Sequence, residues 1–186
     1  MAQTYMINEL YFMCEKQGRK NSKTIYRALI NGSTIKLKSP KLYIPFGGEL
    51  YNGKMLLNFE LDPEKNNECH NFFAKLSQID IALRDILNEN TDEDDDQCKI
   101  KNIPQELIDD IKDKEFISCI RNGKNGYILR THVKNGTTPY SHNKENHYTF
   151  TQIKGTYAYI ELELHSVWTS KTSYGYVLYV TDINIS

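Results

Sequence analysis

Residues Lys23 to Leu50 read KTIYRALINGSTIKLKSPKLYIPFGGEL, and the turn chemistry in this stretch restricts the fold more than any other part of the chain. Two β-branched and aromatic runs, Thr24–Ile30 and Thr34–Leu37, flank Asn31-Gly32, a dipeptide suited to the positive φ values of a tight hairpin. The expectation is a β-hairpin. Pro40 and Pro45 bracket a short extended piece, Lys41–Ile44, because a prolyl ring removes a ladder donor. Gly47-Gly48 then releases the chain into a turn, since glycine relieves the bend.

The rest of the chain supplies strands on both sides of a helical middle. Glu9–Glu15 alternates Leu10, Phe12 and Cys14 with Tyr11 and Met13, as a strand does, before Lys16–Lys23 turns polar and flexible. Asn52-Gly53 reads as a turn and Lys54–Leu61 as a further strand. Asp62-Pro63-Glu64 has the acceptor, proline and acid of a helix start. Phe72, Leu76, Ile79, Leu83 and Ile86 then fall three or four apart, the apolar stripe of a long helix over about Asn71 to Asn88 that packs on a sheet. Pro104–Lys112 predicts a short second helix.

The final third is β-rich. Phe116–Arg121 and Tyr127–Lys134 predict a hairpin around Asn122–Gly126. On its second strand Arg130, His132 and Lys134 share one face, and Tyr127, Leu129, Thr131 and Val133 the other. Asn135–His147 is polar and reads as a mobile loop. Gly155–Trp168 and Tyr174–Ile185 are the longest β signals, an antiparallel pair across Thr169–Ser173. Strict alternation places Ala158, Ile160, Leu162, Leu164 and Trp168 inward on the first, and Val177, Tyr179, Ile183 and Ile185 inward on the second.

At 186 residues, 39% of them hydrophobic and 11% aromatic, the chain suffices for one domain with a real core. The expected organisation is a single domain over 1–186 with a helical and acidic insertion at about 62–114. No apolar run of eighteen residues occurs and Met1–Ser22 has no secretory pattern, so the expectation is a soluble intracellular protein. Asn31-Gly32-Ser33 and Asn135-Gly136-Thr137 match glycosylation acceptors, but each supplies an Asn-Gly turn without an export signal.

Cys14, Cys69, Cys98 and Cys119 are scattered, with no C-x-x-C pair, which argues against structural zinc. The acidic run Asp92-Glu93-Asp94-Asp95-Asp96 lacks the glycine and the twelfth-position glutamate of a calcium loop and reads as a solvated loop. Setting those five charges aside from a net charge of -1 leaves the remainder about four positive. No cofactor or metal is expected. Thr169–Ser173 has a lysine but no glycines to cradle a phosphate, and neither H-E-x-x-H nor G-x-S-x-G occurs. A nuclease built from scattered carboxylates leaves too weak a local pattern to be excluded.

What does recur is lysine or arginine beside aromatics on β elements. Lys36, Lys38, Lys41, Tyr43 and Phe46 lie in the first motif, and Arg121, Lys124, Tyr127, Arg130 and Lys134 in the later hairpin. Trp168, Lys171 and Tyr174 flank the last turn. Cations that follow phosphates and rings that stack on bases make a single-strand-binding surface. The same residues also suit ordinary exposed strands and sheet cores, and spacing alone leaves the two readings level.

The order of motifs narrows this. Cys14-Glu15-Lys16, a basic loop, Thr24–Ile30, Asn31-Gly32, Ile35-Lys36-Leu37-Lys38-Ser39-Pro40-Lys41 and Ile44-Pro45-Phe46-Gly47 resemble the opening of the single-stranded-DNA-binding proteins of large nucleocytoplasmic DNA viruses. The likeness continues through a Phe72–Leu87 helix, a Tyr127–Lys134 basic strand and a Trp-containing closing pair. The acidic insert and a Thr169–Ser173 turn without glycine depart from that pattern.

The resemblance implies a mostly β, α+β fold: an OB-like antiparallel barrel with one long amphipathic helix and a short second helix between the strands. It implies a non-catalytic protein that coats exposed single strands in viral DNA replication, recombination or repair, in the host cytoplasm or nucleus. Lys36, Lys38, Lys41 and Phe46 carry over, with Arg130, Trp168 and Lys171 beside them. The partners expected are single-stranded DNA, replication proteins at the acidic loop 92–96, and further copies of the chain, with no membrane. The alternatives are a protein-interaction or virion structural module, and a metal-dependent nuclease.

Overall fold

A computed structural model describes residues 12–20, 23–30, 34–85, 105–124 and 126–186. The strands before the helices are β1 (Phe12–Lys20), β2 (Lys23–Ile30), β3 (Lys36–Lys38), β4 (Leu42–Tyr43), β5 (Gly48–Tyr51) and β6 (Lys54–Leu61). Helices α1 (Asn67–Asp85) and α2 (Gln105–Ile111) follow. Then come β7 (Glu115–Ile117), β8 (Ile120–Gly123), β9 (Gly126–Val133), β10 (Tyr140–Ser141), β11 (Tyr157–Thr169) and β12 (Ser173–Ile185).

Five strands close into a ring. β4 pairs with β6, β6 with β9 and β11 with both β12 and β4, all antiparallel, while β9 and β12 meet in parallel. A five-stranded, partly open ring with these contacts is an OB-like barrel. Its inward positions, among them Leu57, Phe59, Leu129, Leu162, Leu164, Leu178 and Val180, join Phe72, Leu76, Ile79 and Leu83 of α1 and Leu107 and Ile111 of α2 in one core.

Helix α1 lies where its apolar stripe predicts, but Asn66 starts it: its Oδ1 accepts from the Cys69 amide at 2.8 Å. Asp62 instead accepts from Glu64 at 3.0 Å, holding the turn before the helix. Asp80 anchors α1 to the sheet by accepting from the Tyr176 and Ser118 hydroxyls. Burial pushes the Tyr176 phenol well above its ordinary value. Tyr26 ties β2 to α2 by donating to Asp110.

The hairpin expected across Asn31-Gly32 does not form. β2 pairs with β1 and, from Thr24 to Arg27, with β11, whereas β3 pairs with β11 at Glu161–Glu163. Both segments therefore run along one edge of β11, a longer partner that buries more than the local hairpin would. Asn31-Gly32 itself and the acidic run lie outside the described residues. Lys16–Lys20, expected as a flexible link, extends β1.

Elsewhere the turn chemistry reads through. Asn52 and Gly53 have φ of 50° and 74°, the left-handed pair of a type I′ hairpin between β5 and β6. Phe116–Arg121 is divided, because β7 pairs in parallel with β12 and only β8 forms the hairpin with β9. The polar stretch expected as a mobile loop is tied down. Tyr140 and Ser141 pair with Asn184 and Ile185, and the Tyr140 hydroxyl donates to Asp182 at 2.7 Å. The turn between β11 and β12 closes without glycine, as Ser170 Oγ accepts from the Ser173 amide at 3.1 Å.

Two bulges set the faces of the long pair. The register shifts between Leu164 and Ser166, at His165, and opposite Glu161 and Leu162, at Thr181. Each extra residue reverses the inward-outward phase. On β12 the inward residues are Tyr174, Tyr176, Leu178 and Val180 before the bulge and Ile183 after it, so Val177 and Tyr179 do not face the core as strict alternation predicts. Past His165 the inward residues of β11 are Val167 and Thr169. Trp168 therefore leaves the core face and lies over Gly175, where a Cβ would meet Cζ2 at 3.0 Å.

Candidate nucleic-acid interface

The outward positions of β6 and β9 are Leu56, Asn58 and Glu60 opposite His132, Arg130 and Ile128. Leu57, Phe59, Leu61, Leu129, Thr131 and Val133 turn inward and are buried, which fixes the register and so the face. Thr131 secures it further by donating its hydroxyl to the Leu57 carbonyl at 2.8 Å. β8 adds Arg121 beside Ile128, and β5 adds Glu49 beside Leu56. Together they line a concavity of about 290 Å³, walled by Glu49, Leu56, Asn58, Arg121, Asn122, Ile128 and Arg130. Two guanidinium groups and two amides outweigh one carboxylate there, with an apolar floor.

Across β9 this face continues onto β12 at Tyr179. His165 meets the Tyr179 ring edge-on at 4.7 Å, and His132 lies 6.0 Å away. Lys54, from the β5–β6 turn, reaches the Tyr179 hydroxyl at 3.4 Å. His165 is exposed at the bulge, yet partial desolvation by its neighbours lowers its value, and Lys54, Lys134 and Arg27 act in the same direction against Glu163. The result is one phenol ring flanked by two imidazoles, with the Lys54 ammonium at its hydroxyl.

The residues singled out in the sequence separate into three places. Arg121 and Arg130 line the concavity, and Lys124 is exposed in the β8–β9 turn beside it. Lys36, Lys38, Lys41 and Tyr43 follow β3 and β4. Lys36 bonds Glu161 at 3.4 Å and Lys134 bonds Glu163 at 3.1 Å. Both lysines are thus partly neutralised by their neighbours on β11. Phe46, 65% exposed, stands on the β4–β5 connection, and Lys171 is exposed at the far turn.

Three expected stacking rings are packed against protein. Tyr174 is buried and donates to the Arg84 carbonyl at 3.3 Å. Tyr127 is half-buried with its ring 4.7 Å from that of Phe73, and Trp168 covers Gly175. Tyr174 is an inward, buried position, Tyr127 is an inward position that stays partly exposed, and the indole of Trp168 is committed on one side. Sequence reasoning missed Lys54, Asn58, His165 and Tyr179. The Asn52-Gly53 turn that positions Lys54 was readable, but the bulge that turns Tyr179 outward has no sequence signature. Among the described residues no three His, Cys, Asp or Glu side chains are placed to hold a metal ion.

The sequence matches no protein-family model and no curated protein. Solved structures do share the fold. The single-stranded DNA-binding protein from bacteriophage Enc34 superposes with a TM-score of 0.51 at 10% identity, over 93% of this chain and 89% of that one. The same phage protein in complex with ssDNA gives 0.50 at 9% identity, over 93% and 94%. At such identities the likeness is one of fold, and it extends over nearly the whole length.

Proposed function

We propose that this chain is a non-catalytic single-stranded DNA-binding protein that holds the strand on the outward face of β6 and β9. One observation carries the proposal: the face on which OB folds bind oligonucleotides here forms a concavity with Arg121, Arg130, Asn58 and Asn122 in its walls. The Enc34 protein, whose fold this chain shares, is described as binding single-stranded DNA and has been solved with it. Guanidinium groups bind phosphate through rigid, forked donors, and Tyr179 supplies a ring beside them on which a base can stack. The part played in viral DNA replication, recombination or repair belongs to the proposal and rests on the resemblance of the Cys14–Gly47 opening.

Titration of fluorescent oligo-dT and a matching duplex, with and without magnesium, tests this. The expected result is single-strand preference, loss of affinity with added salt, and an intact oligonucleotide. Absence of binding at low salt would overturn it, and magnesium-dependent cleavage would replace it with the nuclease reading.

A second reading has its own observation. Phe46, Leu50 and Tyr51 are 65%, 70% and 54% exposed on the segment joining β4 to β6, and apolar side chains held in water suit a protein partner. A chain that binds no oligonucleotide but loses oligomeric contacts when Leu50 is made polar would be an interaction module.

A further inference from the structure

We propose, resting on the reading above, that the bound strand continues across β4 to a second subsite in which Tyr157 takes a base while Lys41 and Lys65 take the flanking phosphates. Tyr157 and Tyr159 are 39% and 44% exposed on the outward face of β11. The Tyr43 ring stands 5.1 Å from that of Tyr157. Lys41 and Lys65 place their ammonium groups 5.5 and 5.0 Å from the centroid of the Tyr157 ring. They come from separate segments, Lys41 just before β4 and Lys65 in the turn before α1.

Three features distinguish this cluster from ordinary surface packing. First, among the described residues neither lysine has a carboxylate within ion-pair distance, whereas Lys36 and Lys134 are paired to Glu161 and Glu163. Two like charges gathered at one ring repel each other, and a phosphate between them removes that repulsion. Second, tyrosine is flat, exposed and flanked by cations, the combination that binds single strands without sequence readout.

Third, the cluster is in line with the concavity. Tyr157 pairs with Tyr43, Tyr43 with Glu60, Glu60 with Ile128 and Ile128 with Arg121. Paired residues point to the same side of the sheet, so these five form one row of outward positions that winds round the barrel over β11, β4, β6, β9 and β8. Four inter-strand spacings make the row roughly 19 Å long. A strand that wraps round the barrel along this row meets guanidinium at one end and ammonium at the other. Glu60, in the middle, repels phosphate and so favours a base against the sheet at that point.

Length-dependent binding by the full chain tests the subsite, using oligo-dT of about 4 and about 16 nucleotides, the span of site sizes known for OB folds. Tyr157→Ala should weaken the longer oligonucleotide by roughly tenfold, as loss of one stacked base does. It should leave the shorter one, held in the concavity, unchanged. Tyr157→Phe should bind like the natural chain. Lys41→Gln with Lys65→Gln should lower the log-log salt slope for the longer oligonucleotide by about 1.4, two phosphate contacts on a single strand. Natural-chain affinity and slope in these variants would overturn the subsite while leaving the concavity standing. Failure of the natural chain to bind either oligonucleotide would remove the underlying reading instead.

Discussion

His165 is the bulge residue of β11, and its position makes it sensitive to pH in two opposite ways. Partial desolvation, then Lys54, Lys134 and Arg27, lower its folded value, so the unfolded chain binds the proton first as pH falls below about 6.5. Stability present at neutral pH is therefore lost as pH drops from there through the folded value. A phosphate beside the imidazole favours its charged form, so DNA affinity should rise over the same interval. Thermal unfolding and oligo-dT titration from about pH 7.5 to 5.5 should show both trends, and His165→Gln should flatten both. At the same scale, Gly175 admits no side chain, since a Cβ would lie 2.5 Å from the Ile117 carbonyl oxygen. Gly175→Ala should cost about 1–3 kcal/mol in a urea titration, as overpacking does.

Among the elements, α1 depends on one polar anchor. Asp80→Ala leaves the Tyr176 and Ser118 hydroxyls without their acceptor at a largely buried contact. The predicted loss is about 2–4 kcal/mol, with the urea midpoint lowered and the slope retained. Oligonucleotide affinity of the folded fraction should be unchanged, because Asp80 faces away from the proposed binding surface.

The elements also show what was legible. The Phe72–Leu83 stripe, the Asn52-Gly53 turn and the β11–β12 pair could be read because apolar period and turn chemistry are local properties. The partners of β2 and β3 could not, because competition between a short hairpin and the long edge of β11 is decided by distant residues. The bulges at His165 and Thr181 are equally silent. They moved Tyr179 and Trp168 off the faces that alternation predicted, and brought Tyr179 onto the proposed binding face. Arg121 on β8 and Arg130 on β9 could be placed on one face because neither β8–β9 nor β6–β9 carries a bulge among the paired residues.

At the scale of the whole molecule, the net charge of -1 is no obstacle to binding a polyanion, because charge is segregated over the surface. Arg121 and Arg130 stand together on β8 and β9, while Glu161 and Glu163 on β11 restrain Lys36 and Lys134. Affinity should then depend on a few placed cations and not on overall attraction. The most direct test compares the salt dependence of oligo-dT binding for the natural chain and for Arg121→Gln with Arg130→Gln. If both guanidinium groups hold phosphates, the log-log slope falls by about 1.4 and affinity at low salt drops with it. A slope and affinity equal to those of the natural chain would contradict binding on the β6–β9 face.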